Sequence, residues 1–302
     1  MDRGLMTSSL KLLITGASGF TGTHACSHFL KRGFDVTAVT RTSVTNNQIN
    51  IEKCDLTDKE AVRKLIKKVK PQYLLHLAGQ NHVGQSWIEP VATLEANLMS
   101  TLYLIEALRH ENPTCKIIVA GSTLQLNPID ASKFTHPYSL SKTLQVLLAQ
   151  SWESLYDMDI IIAQPSNLIG PGISNGVCSI FGKKIVQMEK GKLEKILEVY
   201  SLHVKRDFVD VRDVVCAYET LFKQGKSGEI YTIASGKIHS LEEVINQFRD
   251  LTTVDFKINS QVNSHNEENL ETNCSKILHL GWKPNKSLAS SLKDIITFYR
   301  NE

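Results

Sequence analysis

Short apolar runs alternate with longer amphipathic segments through the first half of the chain. The runs are almost continuously apolar, as in strands that are buried on both faces of a parallel sheet. They are KLLIT (11–15), DVTAVT (35–40), YLLHLAG (73–79), KIIVAG (116–121) and DIIIAQ (159–164). Segments of helix length separate them, the first being THACSHFLKRG (23–33). The pattern predicts an α/β fold with a doubly wound parallel sheet, whose ligands bind at the carboxyl ends of the strands.

The alternation weakens after the fifth run. The prolines and glycines of PSNLIGPGISNGV (165–177) predict an irregular segment that leaves the sheet, and helices such as SLEEVINQFRD (240–250) follow it. We therefore expect a main domain over residues 1–166 and a smaller, mostly C-terminal, substrate-binding part over 167–302. The segment 204–221 is a candidate to return to the main domain.

Composition narrows the class of protein. The 302 residues carry a net charge of +3, from 34 basic and 31 acidic side chains spread along the chain, so neither nucleic acid nor a membrane is expected as a partner. The polar N-terminal stretch MDRGLMTSSL and the lack of any run of eighteen apolar residues predict a cytoplasmic protein. The six cysteines show no metal-ligand spacing, so we expect reduced thiols and no metal site.

Three glycines follow the first predicted strand directly in TGASGFTG (15–22). They run G-x-x-G-x-x-G, one position longer than the simplest dinucleotide fingerprint, and a turn that binds nothing is the alternative. A strand that ends in glycines and opens a helix leaves backbone N–H groups aimed at one point, where a pyrophosphate can approach. The main domain is therefore predicted to be a Rossmann-type, dinucleotide-binding domain. The expected contacts in this loop are Gly16, Ser18, Gly19, Phe20, Thr21 and Gly22.

Arg41 ends the second predicted strand, at about the position, roughly 20 residues beyond the glycines, where an NAD-binding domain carries an acidic residue. A cation there accommodates the 2′-phosphate of NADP instead, so the predicted cofactor is NADP(H). An exposed loop arginine is the alternative. Asp55, in KCDLTD (53–58), is placed to meet the adenine amino group. The same residues also fit a helix N-cap, and both roles can hold together.

Tyr138 and Lys142 lie four residues apart in PYSLSK (137–142), hence on one face of a predicted helix. The helix follows the fourth predicted strand, which ends in the pair Ser122 and Thr123. A tyrosine acts as an acid or base near neutral pH only beside a cation that favours the phenolate, and Lys142 supplies that cation. Thr123 can hydrogen-bond the substrate oxygen. We predict that Thr123, Tyr138 and Lys142 are catalytic, a purely structural tyrosine and lysine being the alternative.

From about Lys11 to Tyr299 the sequence resembles the extended short-chain dehydrogenases/reductases of the NAD-dependent epimerase/dehydratase family, which act on nucleotide sugars. The shared features are the glycine loop, the Asp-Leu pair (55–56), HLAG (76–79), Asn97, Y-x-x-x-K and SNLIGPG (166–172). Within the family the likeness is greatest to reductases of GDP-4-keto-6-deoxymannose, through HLAGQNHVGQSW (76–87), NLIGPGISNG (167–176) and RDFVDVRDVV (206–215). LGWKPNKSL (280–288) matches the usual closing signature of the family.

The resemblance implies further site residues. Cofactor contacts are expected from Leu56, Leu77, Ala78, Gly79, Pro165 and Leu168, besides Tyr138 and Lys142. Substrate contacts are expected from Asn81, Asn167 and Arg206, besides Thr123 and Tyr138. Many relatives place an arginine on the substrate pyrophosphate late in the chain, but none occurs here between Arg249 and Arg300. Guanosine-linked and uridine-linked sugars therefore both stay open.

The resemblance implies an NADPH-dependent 4-reductase of a nucleotide-linked 4-keto-6-deoxyhexose, of the GDP-4-keto-6-deoxymannose or UDP-4-keto-6-deoxy-N-acetylglucosamine type. Hydride would pass to C4 while Tyr138 protonates the oxygen. A redox-neutral 4-epimerase or 4,6-dehydratase is the first alternative, and a non-catalytic NADP-sensing protein is the second. Arg41 disfavours an epimerase, which commonly uses NAD, and Leu124 and Gln125 stand where dehydratases place acidic residues. We expect a separate 4,6-dehydratase upstream in the pathway, and a homodimer.

Overall fold

The computed structural model describes residues 9–41, 49–123, 134–262 and 272–302. Leu124 and Gln125, which entered the argument against a dehydratase, lie outside the described residues. Contacts within the chain divide it into two compact units, Met1–Gln164 with Tyr218–Tyr231, and Pro165–Ala217 with Thr232–Glu302. The sequence placed the first boundary at residue 166 and the returning segment at 204–221.

The first unit alternates strands with helices, as the apolar pattern requires. Its elements are β1 (Lys11–Thr15), α1 (Phe20–Lys31), β2 (Asp35–Thr40), β3 (Asn50–Lys53), α2 (Lys59–Val69), β4 (Tyr73–His76), α3 (Val83–Ile88), α4 (Pro90–Leu94), a π-helical segment (Glu95–Met99), α5 (Ser100–Glu111), β5 (Lys116–Ala120), α6 (Pro137–Tyr156) and β6 (Ile160–Pro165). The core side chains of β1, Leu12, Leu13 and Ile14, are fully buried. A strand that is apolar on both faces is stable only between two layers of helices.

The central sheet has seven strands in the order β10-β6-β5-β4-β1-β2-β3, where β10 (Ile230–Ile233) begins at the end of the segment Tyr218–Tyr231. The neighbouring pairs from β3 to β6 run parallel. The predicted α/β class and doubly wound sheet are therefore confirmed. The strand order changes direction between β1 and β4, and such a point opens a crevice at the carboxyl ends of the strands. The loops after β1 and β4 are the ones that meet there.

The second unit has its own smaller sheets and its own apolar core. Its elements are β7 (Asn167–Ile169), α7 (Val177–Glu189), β8 (Ile196–Ser201), β9 (Lys205–Asp210), the first part of α8 (Val211–Gln224), β11 (Ile238–Ser240), α9 (Leu241–Arg249), β12 (Lys257–Val262), α10 (Ser275–His279) and α11 (Leu288–Arg300). The order of one sheet is β11-β9-β7, and β12 pairs with β8 in the other. Helices α7, α9 and α11 bury Phe181, Phe248 and Ile295 in one cluster.

Among the described helices, none combines the length and the apolar composition that crossing a bilayer would require.

Candidate active site

The glycine loop between β1 and α1 leaves a helix N-terminus without a capping side chain. Gly19 is the N-cap of α1, makes no side-chain capping bond, and is followed by no acidic residue in the first turn. By contrast, Asp58 caps α2 and His136 caps α6 through side-chain bonds to backbone N–H groups. Ser18 and Gly19 are exposed, and Phe20 and Thr21 are half-buried. A helix start that lacks its own cap and carries the positive end of the helix dipole suits an anionic ligand.

The three glycines of this loop have different roles. A Cβ on Gly16, whose φ is +67°, would lie 2.7 Å from the Ala78 backbone nitrogen, and a Cβ on Gly22 would lie 2.1 Å from the Gly16 carbonyl oxygen. Both positions therefore need glycine for the packing of the chain itself. Gly19 has ordinary extended dihedrals, and a Cβ there would meet only the Gly16 oxygen, at 3.2 Å. Glycine at position 19 leaves the backbone without a covering side chain, although the packing of the chain itself places little restriction on a Cβ there.

Asn97 fixes the loop that follows β4 from within the π-helical segment. Its fully buried amide accepts a hydrogen bond from Gln80 N at 2.7 Å and donates to Gln80 O at 3.0 Å and to Ser141 Oγ at 2.8 Å. A Cβ on Gly79 would lie 2.6 Å from Asn97 Oδ1, so the loop and the helix touch. Leu77 and Ala78 are half-buried, and Gly79 and Asn81 are exposed in this loop. Asn97 was among the family features in the sequence, but only the structure shows the contacts by which it positions this loop.

Arg41 and Asp55 come together at the ends of β2 and β3. The Thr57 backbone N–H donates to Asp55 Oδ1 at 3.0 Å and the Thr57 hydroxyl at 2.8 Å. These bonds, and more weakly the charge of Arg41, hold the pKa of Asp55 below its usual value. Asp58 is the residue that caps α2, while Asp55 closes a turn before it, and Leu56 is buried. Arg41 is exposed, so its guanidinium is accessible to a phosphate.

Tyr138 is the second residue of α6 and is only 8% exposed. Burial holds the pKa of its phenol above the usual value, against a hydrogen bond with the Ser122 side chain that lowers it. Its ring stacks on His136, with centroids 5.9 Å apart. The phenol keeps its proton at neutral pH, but burial makes this proton harder to release, so the shift towards the phenolate that the sequence led us to expect from Lys142 is not seen in the chain alone. The sequence had given the hydrogen-bonding role at this strand end to Thr123.

The segment that carries Ser122 and Thr123 is held at the end of β5 by a neighbouring side chain. Gln164 Nε2, on β6, donates to the Ser122 carbonyl oxygen at 2.9 Å. The amide of Gln164 therefore supports the strand end that carries Ser122. Thr123 is half-buried and is the last described residue before position 134. Its proposed contact with substrate stays a prediction.

Lys142 lies one turn after Tyr138 on α6 and is 7% exposed. Its Nζ donates to the Ala120 carbonyl oxygen at 2.6 Å and to Gln145 Oε1 at 2.5 Å. Burial lowers the pKa of this ammonium to about 7. Lys142 therefore contacts Ala120, the last residue of β5, from a position one helical turn after Tyr138. The sequence did not predict this contact of Gln145, although a spacing of three residues from Lys142 puts both on one helix face.

In the second unit, the residues predicted to hold substrate lie on neighbouring parallel strands. Asn167 of β7 is paired with Phe208 of β9, and its Nδ2 donates to the Asp207 carbonyl oxygen at 3.0 Å. Arg206 precedes Asp207, whose buried carboxylate accepts from Ser166 Oγ at 2.6 Å. Leu168 is half-buried in β7, and Pro165 is the last residue of β6. Asp207 thus fixes the strands that present Asn167 and Arg206.

Nucleotide-sugar enzymes resemble this chain along nearly its whole length. It is 29% identical to a GDP-6-deoxy-D-mannose reductase of Pseudomonas aeruginosa, over 95% of this chain and 96% of the relative. It is 25% identical to a dTDP-glucose 4,6-dehydratase of Salmonella typhimurium, over 96% and 92% of the two chains. Relatives of both kinds therefore align with nearly the whole of this chain.

Solved structures agree with the fold. The structure of RMD from Pseudomonas aeruginosa complexed with NADPH has a TM-score of 0.83 at 25% identity, covering 96% of this chain and 99% of that chain. A UDP-glucose 4-epimerase from Thermus thermophilus, in complex with NAD, has a TM-score of 0.82 at 21% identity and 96% and 99% coverage, which shows the fold alone. Residues 12–234 match the family that the sequence motifs indicated. With its glycine loop, its tyrosine and its lysine at the carboxyl edge of the sheet, the chain belongs to the NAD dependent epimerase/dehydratase family.

Proposed function

We propose that the protein is an NADPH-dependent 4-ketoreductase of a nucleotide-linked 4-keto-6-deoxyhexose. The observation that carries the proposal is the arrangement at the end of β5, where Tyr138 hydrogen-bonds the Ser122 side chain and the buried Lys142 binds the Ala120 carbonyl oxygen. Tyr138 holds the proton that a carbonyl oxygen must gain when it is reduced. The similarity to the GDP-6-deoxy-D-mannose reductase supports the same reaction class.

The residues of the chain fit NADP(H). The uncapped start of α1 and the bare Gly19 suit the pyrophosphate, and Arg41 suits the 2′-phosphate. Asp55 and Leu56 would border the adenine, and Leu77 to Gly79, Pro165 and Leu168 would border the rest of the cofactor. NADPH, when bound, supplies hydride to C4 of the sugar.

The protein side of the reaction is proton donation and positioning. Tyr138 holds a proton on its phenol oxygen and donates it to the C4 oxygen as the charge there develops. Ser122, which already hydrogen-bonds Tyr138, and Thr123 orient that oxygen. Lys142 places a positive charge next to the site, and this charge lowers the energy of the developing oxyanion. Lys142 would also hold the nicotinamide ribose. Asn81, Asn167 and Arg206 are proposed to hold the nucleotide sugar.

A substrate panel tests the proposal. Purified protein with NADPH is expected to reduce one or more 4-keto-6-deoxy nucleotide sugars, guanosine-linked or uridine-linked, with a gain of two hydrogens by mass spectrometry. A plain nucleotide hexose should give nothing until a separate 4,6-dehydratase is added. Interconversion of plain hexoses without NADPH use would favour an epimerase, and their dehydration by this protein alone would favour a dehydratase. Binding of NADPH without turnover of any of these sugars would favour a sensor.

Replacing Arg41 by Ala is expected to weaken NADPH binding about 30-fold or more and NADH binding about twofold or less. Only NADPH carries the 2′-phosphate, with which a guanidinium can form two charge-assisted hydrogen bonds. Fluorescence titration with both cofactors measures the ratio. Arg63→Ala is the matched control, because Arg63 is also exposed but lies on α2 and pairs with Glu111 of α5. Equal losses for NADPH and NADH would contradict the role given to Arg41.

We also propose that the protein is a cytoplasmic homodimer that receives its substrate from a 4,6-dehydratase. Large apolar side chains of the first unit are exposed on α3, α4 and α6, with Trp87 63% exposed, Ile88 74%, Val91 66% and Leu155 68%. Apolar surface of this kind on a soluble enzyme is commonly covered by another chain. Sedimentation should give a mass of two chains of 33.8 kDa.

A further inference from the structure

Gln145 is a buried amide that the reaction described above does not use. It is 1% exposed, lies on α6 one turn after Lys142, and accepts a hydrogen bond from Lys142 Nζ through Oε1 at 2.5 Å. The Ala120 carbonyl oxygen accepts a second N–H of the same ammonium, at 2.6 Å. An ammonium has three N–H groups. Two acceptors of fixed position therefore leave one N–H for other partners.

A chain of hydrogen bonds behind Gln145 determines which way its amide faces. Gln145 Nε2 donates to Thr101 Oγ1 at 2.7 Å, and the single hydroxyl proton of Thr101 is committed to the Asn97 carbonyl oxygen at 2.7 Å. Thr101 Oγ1 can therefore only accept from its other neighbours. An amide turned by 180° would place its oxygen against Thr101, which has no proton to give, and its NH₂ against an ammonium. The amide oxygen is thus held towards Lys142.

His76 closes the same chain. It is buried and neutral, since burial lowers its pKa to about 3, and its Nε2 lies 2.8 Å from Thr101 Oγ1. Because Thr101 accepts here too, the proton of His76 sits on Nε2. Nδ1 then accepts from Thr15 Oγ1 at 2.7 Å, and Thr15 Oγ1 accepts from Ala78 N at 3.2 Å. From Gln145 to Thr15 every side-chain donor of this chain has an acceptor, and such a network keeps its groups in one arrangement.

We propose that Gln145 is a positioning residue, whose amide oxygen holds the ammonium group of Lys142 at the end of β5 and favours its charged form. Its kinetic consequence rests on the proposed reductase function. The contact with Lys142 does not, because it is a property of the folded chain.

Among the residues that the structure describes, the surroundings of Lys142 offer little other compensation for its buried charge. His76 of β4 is neutral, and Tyr138 on the same helix keeps its proton. Glu95, in the π-helical segment against α6, is exposed, and Glu106 of α5 is bound to Arg109. In the described part of the chain, the amide oxygen of Gln145 and the carbonyl of Ala120 are therefore the groups that offset burial. Removing one of them should make the ammonium easier to deprotonate.

The first test measures the lysine directly and needs no substrate. Protein labelled with ¹³C at lysine Cε is titrated by NMR, and the Lys142 signal is identified by its loss in Lys142→Arg. Gln145→Met keeps the volume but removes the acceptor, so the Lys142 pKa should fall by about one unit. Gln145→Glu replaces the amide by a carboxylate of the same shape, so the Lys142 pKa should rise by about one unit or more.

The matched control is Gln150→Met, on the same helix, because Gln150 donates to the Gly228 carbonyl oxygen at 3.3 Å instead of binding Lys142. It should leave the Lys142 titration unchanged. If Gln145→Met does not fold, Gln145→Glu, which retains the shape, decides the question alone. An unchanged Lys142 pKa in the folded Gln145 variants would overturn the proposal.

The second test is kinetic, with NADPH and the keto sugar found in the substrate panel. Gln145→Met should lower kcat about tenfold with little change in KM, because it disturbs an ammonium that acts on the transition state rather than on sugar binding. Gln145→Glu should retain most of kcat. The Gln150→Met control should behave as the unchanged protein. Equal kcat in Gln145→Met and Gln150→Met would overturn the kinetic part of the proposal. A protein that reduces no keto sugar, yet shows the expected shifts of the Lys142 pKa by NMR, would contradict only the proposed function.

Discussion

Replacing Tyr138 by Phe is expected to lower the turnover number by about 10²- to 10⁴-fold while fold and NADPH binding are retained. The phenyl ring fills the same buried space and can still stack on His136, so packing hardly changes. What is lost is the phenol proton and the hydrogen bond with Ser122. Steady-state consumption of NADPH with a 4-keto-6-deoxy nucleotide sugar measures the effect.

Tyr156→Phe is the control for this substitution. Tyr156 ends the same helix, is 46% exposed, and faces the guanidinium of Arg109, so removing its hydroxyl should leave turnover unchanged. Thermal melting and NADPH titration of both variants separate a catalytic effect from unfolding or lost cofactor. Tyr138→Phe with more than half of the original turnover would mean that another group gives the proton.

The sequence predicted the strands whose side chains are buried on both faces. The five apolar runs all contain strands of the sheet, because a continuous apolar run has few other stable locations. It did not predict β3 (NIEK), which pairs with β2 along one edge and has no fully buried side chain. Nor did it predict β12 (KINSQV), whose burial alternates between exposed and half-buried. These strands are stabilised by pairing, which a local pattern of polar residues does not reveal.

The site was predictable where spacing along one element places residues together. Tyr138 and Lys142 lie on one face of α6, and the glycine loop follows β1, as the sequence indicated. The partners of these residues were not predictable, because they come from other elements. The bond between Tyr138 and Ser122, and the support of Ser122 by Gln164 on β6, depend on strands that neighbour only in the folded sheet.

Replacing Gly22 by Ala is expected to lower the free energy of unfolding by at least about 3 kcal/mol. The new Cβ would lie 2.1 Å from the Gly16 carbonyl oxygen and 2.7 Å from Ala17 Cα, which are backbone atoms. Backbone at this place cannot yield without moving α1 away from the end of β1. Denaturant unfolding followed by circular dichroism measures the change.

Gly19→Ala is the matched comparison, and it separates packing from ligand binding. The residue has ordinary extended dihedrals, and a Cβ there would meet only the Gly16 oxygen, at 3.2 Å. The free energy of unfolding should therefore change by less than about 1 kcal/mol. If a pyrophosphate approaches the bare backbone of this loop, the same methyl group should weaken NADPH binding about tenfold or more. A stable Gly22→Ala would contradict the close approach of α1 to the loop. Unchanged NADPH affinity in Gly19→Ala would instead mean that Gly19 serves only the turn, and that the phosphates bind elsewhere.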